Sequence, residues 1–202
     1  LRQRDVQLSV LDDRIEGNAD GSSGRMPWEE VRDWFHAEQN YVDAIDRRAE
    51  AMGEQLSGPR DPGMIEGELS RRFGITVERV SSLPMLRDYD SVTRILRVDA
   101  GQAQETTMFS LAYQLALLEF SDMIESIARG QASSDAARQL LMAGLANYAA
   151  GALLMPYRAF REAARTLRHD VDRLRQRFGT SFEQTCHRLS TLQRPGALGV
   201  PM

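Results

Sequence analysis

The chain has 202 residues, of which 42% are hydrophobic and 27% charged, a composition typical of a globular protein able to bury one domain core. Its net charge of −4 at pH 7 argues against a protein whose whole surface binds nucleic acid, and its apolar runs are too short for a membrane span or a signal peptide. The one cysteine, Cys186, excludes an internal disulfide and is typical of the reducing cytoplasm.

The N-terminal part divides into a linker and a helix. Residues 1–26 are polar and rich in Asp, Gly and Ser, which predicts a linker from an upstream segment. Pro27 suits the first turn of a helix, and apolar residues at steps of three and four then predict one long amphipathic helix over 27–53. Its apolar side is expected to pack either on the domain or on a second copy of the chain.

A short helix and several weak strands follow. The pattern predicts a helix over Met64–Phe73 that ends at Gly74. The segment from Ile75 to Val80 alternates and is rich in β-branched residues, and Arg87–Asp90 and Thr93–Val98 are weaker strand candidates. We expect two or three short strands in a small antiparallel sheet against helices.

A buried helix is predicted over residues 105–119, with a continuation to about Ala128. Ser133 or Ser134 can cap the next helix, Asp135–Met155, which ends at Pro156. Between residues 143 and 152 this helix is mostly Ala and Gly, which allows close approach of either another helix or a ligand.

The C-terminal part predicts a third long helix over Tyr157–Phe178, ended by Gly179. The segment Thr180–Glu183 has capping-box spacing and predicts a short helix through Leu192, within a final segment of residues 180–202. The expected fold class is therefore α+β, mainly α. One domain over residues 27–202 comprises the long N-terminal helix, a core over 63–178 and this final segment.

Two of these helices carry a resemblance to a known family. The frame of residues 105–119 resembles the active-site helix of the ImmA/IrrE-type metallopeptidases, and residues 146–157 resemble the segment that follows it. That helix carries His-Glu-x-x-His, in which two histidines hold zinc and the glutamate is the general base. Tyr113, Gln114 and Leu117 stand at those three positions here, and Ala143 stands at the third ligand position. The resemblance implies a degenerate zincin-like fold with no zinc and no catalytic residue.

A second resemblance is narrower. Residues 178–197, with Cys-His-Arg-Leu at 186–189, and residues 113–118 are similar to the short-chain fatty-acyl transcriptional regulators (PrpR/RamB-like), over roughly residues 27–202. It implies a sensor domain that binds a coenzyme A thioester such as propionyl-CoA and passes the signal to DNA binding. We expect this domain to act as a homodimer in the cytoplasm. In such regulators a helix-turn-helix DNA-binding domain precedes this region, and an iron–sulfur cluster is implied in a cysteine-bearing segment after it. Neither is visible in this sequence.

The residues themselves suggest where a coenzyme A thioester would bind, because it needs an apolar slot beside clustered cations. Two helices expected to face each other supply an apolar slot, unless these residues form a plain core: Phe109, Tyr113, Leu117, Ala143, Asn147 and Tyr148. Four arginines at steps of three and four share one face of the third long helix and suit phosphates, unless they are a solvated face: Arg158, Arg161, Arg165 and Arg168. Asn147 and Tyr157 offer further donors.

The sequence gives little support for a histidine metal site or for a cysteine–histidine catalytic pair. The three histidines, His36, His169 and His187, lie on separate segments without a carboxylate at ligand spacing. Cys186 and His187 do not form a catalytic pair, because neighbours on a helix point about 100° apart. We therefore expect the ligand-sensing domain of a transcription regulator. The alternatives are a metal-dependent peptidase-like enzyme or a pure dimerisation or docking module.

Overall fold

The computed structural model describes residues 25–55 and 61–199. Residues 1–24 of the predicted linker over 1–26 lie outside the described residues. The described residues form nine helices and three strands. The helices are α1 Pro27–Ala37, α2 Asp43–Gln55, α3 Pro62–Phe73, α4 Gln104–Glu119, α5 Ser121–Gln131, α6 Asp135–Leu154, α7 Tyr157–Thr166, α8 Val171–Phe178 and α9 Phe182–Ser190. The strands are β1 Thr76–Val80, β2 Arg87–Asp90 and β3 Ile95–Asp99. The α+β, mainly α, class is confirmed.

Helix α6 is the centre of the core. It packs most extensively against α4, and it also contacts α1, α2 and α5. The small residues Ala146, Ala149, Ala150 and Ala152 are fully buried, which lets neighbouring backbones approach closely. A Cβ at Gly144 would lie 2.9 Å from Cε2 of Phe35. The Ala/Gly stretch therefore serves tight helix packing, the first of the two expected roles.

The sheet is mixed rather than antiparallel. Its strand order is β1-β3-β2, with β2 antiparallel to β3 as expected and β1 parallel to β3. Leu96 and Val98 on β3 are fully buried, whereas β2 is charged and lies at an edge. The most apolar strand thus takes the central position and leaves the polar strand at the edge. The antiparallel prediction is wrong for the β1–β3 pair, because β3 turns back from β2 into the central position between β2 and β1 and so runs parallel to β1.

The predicted single helix over 27–53 is two helices. The chain breaks between Ala37 and Asp43, where Gln39 (φ 53°) and Asn40 (φ 57°) are both in the left-handed region. The apolar spacing continues across this corner, so periodicity alone does not reveal the break. Gly53 lies inside α2 rather than at its end, and a Cβ there would lie 2.6 Å from Cγ of Pro156.

Two further long helices are also interrupted. The predicted helix over 157–178 divides into α7 and α8, because Arg168 (φ 52°) and His169 (φ 60°) turn the chain and Asp170 caps α8. The predicted continuation of α4 to Ala128 is a separate helix, α5, after a break at the buried residue Phe120. In both cases buried residues on the two sides keep helical spacing, which conceals the turn between them.

The helix ends set by local chemistry are mostly as predicted. Gly74 ends α3 with φ 64°, and Oγ of Ser134 accepts a hydrogen bond of 3.1 Å from the Ala137 amide at the start of α6. The last capping box lies one residue later than predicted, because Ser181 and Gln184 form it. Thr180 is buried instead, and its hydroxyl lies 2.8 Å from that of Thr185.

Within residues 25–55 and 61–199, no single helix combines the length and hydropathy of a membrane span. Helices α6 and α7 reach that combination only when counted together, and they are bent by 63°.

Candidate ligand site

The face of α4 that resembles a peptidase metal site lies at the edge of the main core. Tyr113, Gln114 and Leu117 fall within a sector of about 100° on this helix, and Phe109 lies one turn before Tyr113. Phe109, Tyr113 and Leu117 are half-buried and pack against the core. Ala143 is half-buried on α6, the main packing partner of α4. The fold thus keeps a partly exposed, mostly apolar face where the resemblance places zinc.

The side chains on this face do not fit a zinc ion. A phenol, an amide, an isobutyl group and a methyl group replace two imidazoles and two carboxylates. Across the part of the chain that the structure describes, no three His, Cys, Asp or Glu side chains cluster closely enough to hold a metal. No step of metal-assisted hydrolysis can therefore be built on these residues.

The positively charged side chain of Arg87 lies on this face instead of metal ligands. The guanidinium carbon of Arg87 on β2 lies 3.6 Å from the ring centroid of Tyr113. Arg87 is half-buried, and burial lowers its pKa while nearby Tyr113 opposes that change. Among the described residues no carboxylate forms an ion pair with Arg87, and its polar partner is the Tyr113 side chain. The other N–H groups of the guanidinium can therefore donate to an anion or a carbonyl oxygen. Sequence reasoning missed Arg87, because a lone arginine in a short strand carries no pattern.

Gln114 supplies a buried donor on the same face. It is 3% exposed, and its Nε2 has no hydrogen-bond partner among the described residues. Gln102 lies near Arg87, because its Nε2 donates a hydrogen bond of 2.6 Å to the carbonyl oxygen of Leu86, while its Oε1 has no partner. Buried amide groups usually have partners, because an unpaired one costs about 1–3 kcal/mol.

An open groove of about 470 Å³ lies beside this face, between α3, β2 and α4. It is lined by Arg72, Phe73, Gly74, Tyr89, Ser91, Arg94 and Leu118. Tyr89 shares a face of β2 with Arg87, because alternate residues of a strand point the same way. The groove therefore combines two arginines with two aromatic rings close to the altered metal face.

The charges at this groove do not cancel. Arg72 and Arg48 both pair with Glu119, at 2.6 Å and 3.0 Å, so one carboxylate serves two guanidinium groups. Arg94, in the left-handed region with φ 56°, makes only a long contact of 3.4 Å to the carbonyl oxygen of Phe73. The surplus of positive charge favours an anionic ligand.

Two residues of the predicted slot lie elsewhere. The hydroxyl of Tyr148 donates to Oδ2 of Asp46 at 2.6 Å and accepts from the Val42 amide at 3.2 Å. Burial and the Asp46 charge raise the pKa of Tyr148. Asn147 and Tyr148 line a separate cavity of about 310 Å³ under α1. The predicted six-residue slot is thus divided, with Phe109, Tyr113, Leu117 and Ala143 at one place and Asn147 and Tyr148 at another.

Tyr148 belongs to a buried ionic network that joins α2 to α9. Asp46 and Arg188 are almost completely buried and form two hydrogen bonds of 2.7 Å and 3.2 Å. Nε of Arg188 also donates to the carbonyl oxygen of Met155 at 2.9 Å. Arg194 pairs with Glu50 at 2.9 Å. The arginine of the Cys-His-Arg-Leu segment therefore holds the C-terminal helix in place.

The remaining predicted donors belong to this C-terminal attachment. The hydroxyl of Tyr157 donates to the carbonyl oxygen of Ala197 at 3.0 Å and accepts from the Arg194 amide at 2.8 Å. Arg161 donates to the carbonyl oxygen of Leu198 at 2.9 Å. Arg158 and Arg165 are exposed on α7, which packs on α2.

Arg168 does not share their face. It lies in the left-handed turn after α7, because that helix ends at Thr166. The predicted row of four arginines is therefore wrong in its last member.

The chain is similar in sequence to one family of domains and to several regulators. The family model for the IrrE N-terminal-like domain matches residues 70–190. A propionyl-CoA carboxylase regulator from Cereibacter sphaeroides is 43% identical over 203 residues, covering 99% of this chain and 43% of that protein. The HTH-type transcriptional regulator PrpR from Mycobacterium tuberculosis is 48% identical over 182 residues, covering 87% and 37%. The regulator RamB from the same species is 38% identical over 200 residues, covering 96% and 42%.

The fold is also similar to a solved structure, that of a Mycobacterium tuberculosis transcriptional regulator. The two match with a TM-score of 0.83 and 43% identity, covering 87% of this chain and 56% of that one. The chain spans about two fifths of the length of the curated relatives it matches.

Proposed function

The chain belongs to the IrrE N-terminal-like domain family, and from that premise we propose that it is the ligand-sensing domain of a bacterial transcription regulator. We propose further that its ligand is a short-chain acyl-CoA such as propionyl-CoA, and that it controls genes of short-chain fatty acid metabolism. The names of its relatives support this, since two are helix-turn-helix regulators and one regulates propionyl-CoA carboxylase. A regulator of this kind acts on DNA through its helix-turn-helix part, in the cytoplasm.

One observation carries the proposal: the guanidinium of Arg87, which has no carboxylate partner among the described residues, is stacked on Tyr113, where the resemblance to peptidases places a histidine ligand. A thioester needs no metal to be bound. Its carbonyl oxygen accepts hydrogen bonds, and its acyl chain prefers apolar surroundings. Arg87 and Gln114 supply the donors, and the apolar surroundings come from Phe109, Leu117 and Ala143.

The polyanionic end of coenzyme A requires cations and flat surfaces. We assign it to the neighbouring groove, where Arg72 and Arg94 are positioned for phosphates and Phe73 and Tyr89 for the adenine ring. This differs from the α7 arginines favoured by the sequence. The groove is preferred because Tyr89 and Leu118 adjoin the face that carries Arg87 and Tyr113, whereas α7 packs on α2.

Calorimetric titration of propionyl-CoA into the 202-residue chain tests the function. We expect binding in wild type and a loss of about tenfold or more in Arg87→Gln, because a charged hydrogen-bond donor contributes about 1.5–3 kcal/mol. Arg79→Gln, which removes an exposed arginine of β1, is the matched control and should bind like wild type. The proposal fails if wild type shows no heat at millimolar ligand.

The enzyme alternative has a separate test. Stoichiometric zinc after purification, together with peptidase activity, would restore it. The donor set on α4 and α6 speaks against both, because it lacks the imidazoles that zinc prefers.

A homodimer is part of the same proposal. Met26 and Trp28 at the start of α1 are 52% and 47% exposed, and apolar side chains of this size favour protein contacts when exposed together. Sedimentation equilibrium of wild type and of Trp28→Ser tests this. A wild-type monomer at tens of micromolar would overturn it.

A further inference from the structure

Helix α2 is linked to the proposed phosphate groove through one row of its side chains. Arg48 pairs with Glu119 at the end of α4 at 3.0 Å. Met52, one turn later on α2, accepts at its Sδ a hydrogen bond of 3.5 Å from Nη1 of Arg72. Arg72 lines the groove and pairs with the other oxygen of Glu119 at 2.6 Å. The Glu119 side chain is only 8% exposed, so water and salt screen these contacts less than they screen a surface pair.

A second row on α2 holds the C-terminal part of the chain. Asp46 binds Arg188 at 2.7 Å, and Glu50, one turn later, binds Arg194 at 2.9 Å. This row is offset from the first by two positions, about 200° around the helix axis, so the two rows lie on nearly opposite sides of α2. A single helix of 13 residues therefore connects the groove to residues 182–198.

The contacts of Arg72 have two alternative arrangements. In the unliganded chain, Glu119 shares its charge between Arg72 and Arg48. A phosphate group in the groove carries more negative charge and more acceptor oxygens than one carboxylate, so it competes with Glu119 for the guanidinium of Arg72. When Arg72 turns to the phosphate, it leaves Met52 as well, and fewer contacts hold that side of α2.

The C-terminal contacts of α2 are sensitive to a small movement of this helix. Asp46 is fully buried and Arg188 is 2% exposed. A buried ion pair offsets the cost of removing its charges from water only when its geometry is good. A shift of α2 that lengthens the Asp46–Arg188 contact therefore weakens the attachment of α9.

We propose that an anionic group bound at Arg72 loosens α2 and thereby the attachment of residues 182–198, so that occupancy of the groove controls how firmly the C-terminal part is held. The identity of the ligand rests on the proposed function, whereas the ionic chain Arg72–Glu119–Arg48 does not. A ligand favours the arrangement that it binds better, and coupling between two sites is reciprocal. Loosening residues 182–198 therefore also strengthens ligand binding.

Hydrogen–deuterium exchange of the 202-residue chain, followed by mass spectrometry with and without saturating coenzyme A, tests the proposal. We expect slower exchange around Arg72 and Arg94, which the ligand covers. Residues 182–198 should instead exchange about fivefold faster, which corresponds to the lower end of measured coupling between sites. Faster exchange away from the ligand distinguishes this mechanism from general stabilisation by binding.

A charge-neutral variant tests the ionic chain without ligand. Glu119→Gln keeps the shape of the side chain and removes the shared charge, so it should speed the exchange of residues 182–198 by about fivefold, and coenzyme A should add little more. Glu125→Gln is the matched control, because Glu125 on α5 also pairs with two arginines, Arg129 and Arg138, at 2.9 Å each. This control should leave the exchange of residues 182–198 within about twofold of wild type.

Reciprocity gives a second measurement. Arg194→Gln weakens the C-terminal attachment at a residue that does not line the groove, so calorimetry should show a Kd for coenzyme A about fivefold lower than in wild type. Arg173→Gln, which changes an exposed arginine of α8, should leave the Kd within about twofold.

Three outcomes would overturn the proposal. The first is unchanged exchange of residues 182–198 when coenzyme A is bound. The second is a Glu119→Gln variant in which these residues exchange as in wild type, or in which β1–β3 speed up equally, since that would be a general loss of stability. The third is an unchanged or higher Kd in Arg194→Gln. A lack of coenzyme A binding in calorimetry would overturn the proposed function instead, and the exchange of unliganded Glu119→Gln would then decide the ionic chain by itself.

Discussion

Arg87 on β2 and Tyr113 on α4 form a cation–π pair with 3.6 Å between the guanidinium carbon and the ring centroid. The pair joins the edge strand of the sheet to the helix whose metal-binding residues have been replaced. It places a positive charge on the side chain that stands at the position of a histidine ligand in the peptidases.

Replacing the ring of Tyr113 should weaken ligand binding more than removing its hydroxyl. A cation–π contact contributes about 0.5–2 kcal/mol, so Tyr113→Leu should raise the Kd for propionyl-CoA by about tenfold, while Tyr113→Phe keeps the stack and stays within about twofold. Calorimetry on the three proteins checks this. Equal effects of the two substitutions would show that the stack does not position Arg87.

Replacing Gln114 should make the chain more stable but less selective for propionyl-CoA over free coenzyme A. Gln114→Leu removes a buried amide nitrogen without a partner, so the free energy of unfolding in urea should rise by about 1–2 kcal/mol. The same change should reduce the preference for propionyl-CoA over free coenzyme A, because a donor to the thioester carbonyl is lost. A more stable variant with unchanged preference would give Gln114 a place in the core only.

Removing Asp46 should destabilise the chain strongly. Asp46→Ala leaves the buried Arg188 without its counter-charge, which costs about 3–5 kcal/mol in urea unfolding. Asp172→Ala, which removes an exposed pair with Arg175, should cost less than about 1 kcal/mol.

A double variant tests the reason for that loss. Asp46→Leu combined with Arg188→Met removes both charges and should recover most of the stability, because paired apolar replacement of a buried ion pair is often neutral. If the double variant is no more stable than Asp46→Ala, the network stabilises the chain through its other hydrogen bonds, for example that of Tyr148.

Charge reversal should distinguish the two candidate phosphate sites. Arg94→Glu should weaken coenzyme A binding by tenfold or more at low salt, because it replaces attraction by repulsion in the groove. Arg158→Glu, on exposed α7, should change the Kd by less than about twofold. If Arg158→Glu weakens binding more than Arg94→Glu does, the phosphates bind at the α7 arginines.

Local chemistry made the helix ends predictable. Gly74, Ser134 and Pro156 act on residues within one turn, so their effect follows from the sequence alone. The breaks at Asn40 and His169 were not predictable, because neither is a glycine or a proline and the apolar spacing runs through both.

The candidate site was predicted in part for a related reason. Spacing on one helix placed Phe109, Tyr113 and Leu117 on a common face, since helix geometry fixes that relation. Arg87 and the pairing of Asp46 with Arg188 depend on contacts between distant segments, the latter 142 residues apart, which no local pattern encodes. The parallel β1–β3 pairing escaped prediction for the same reason.

The attachment of the chain after α9 has a mechanical consequence. Arg194 contacts Tyr41, Glu50 and Asp46 through its side chain and Tyr157 through its amide, while Ala197 and Leu198 accept hydrogen bonds from Tyr157 and Arg161. Because these bonds share partners, loosening one exposes charge at the others. Residues 194–198 should therefore detach together or remain attached together. A movement of the chain just after residue 198 would then be passed on to α2.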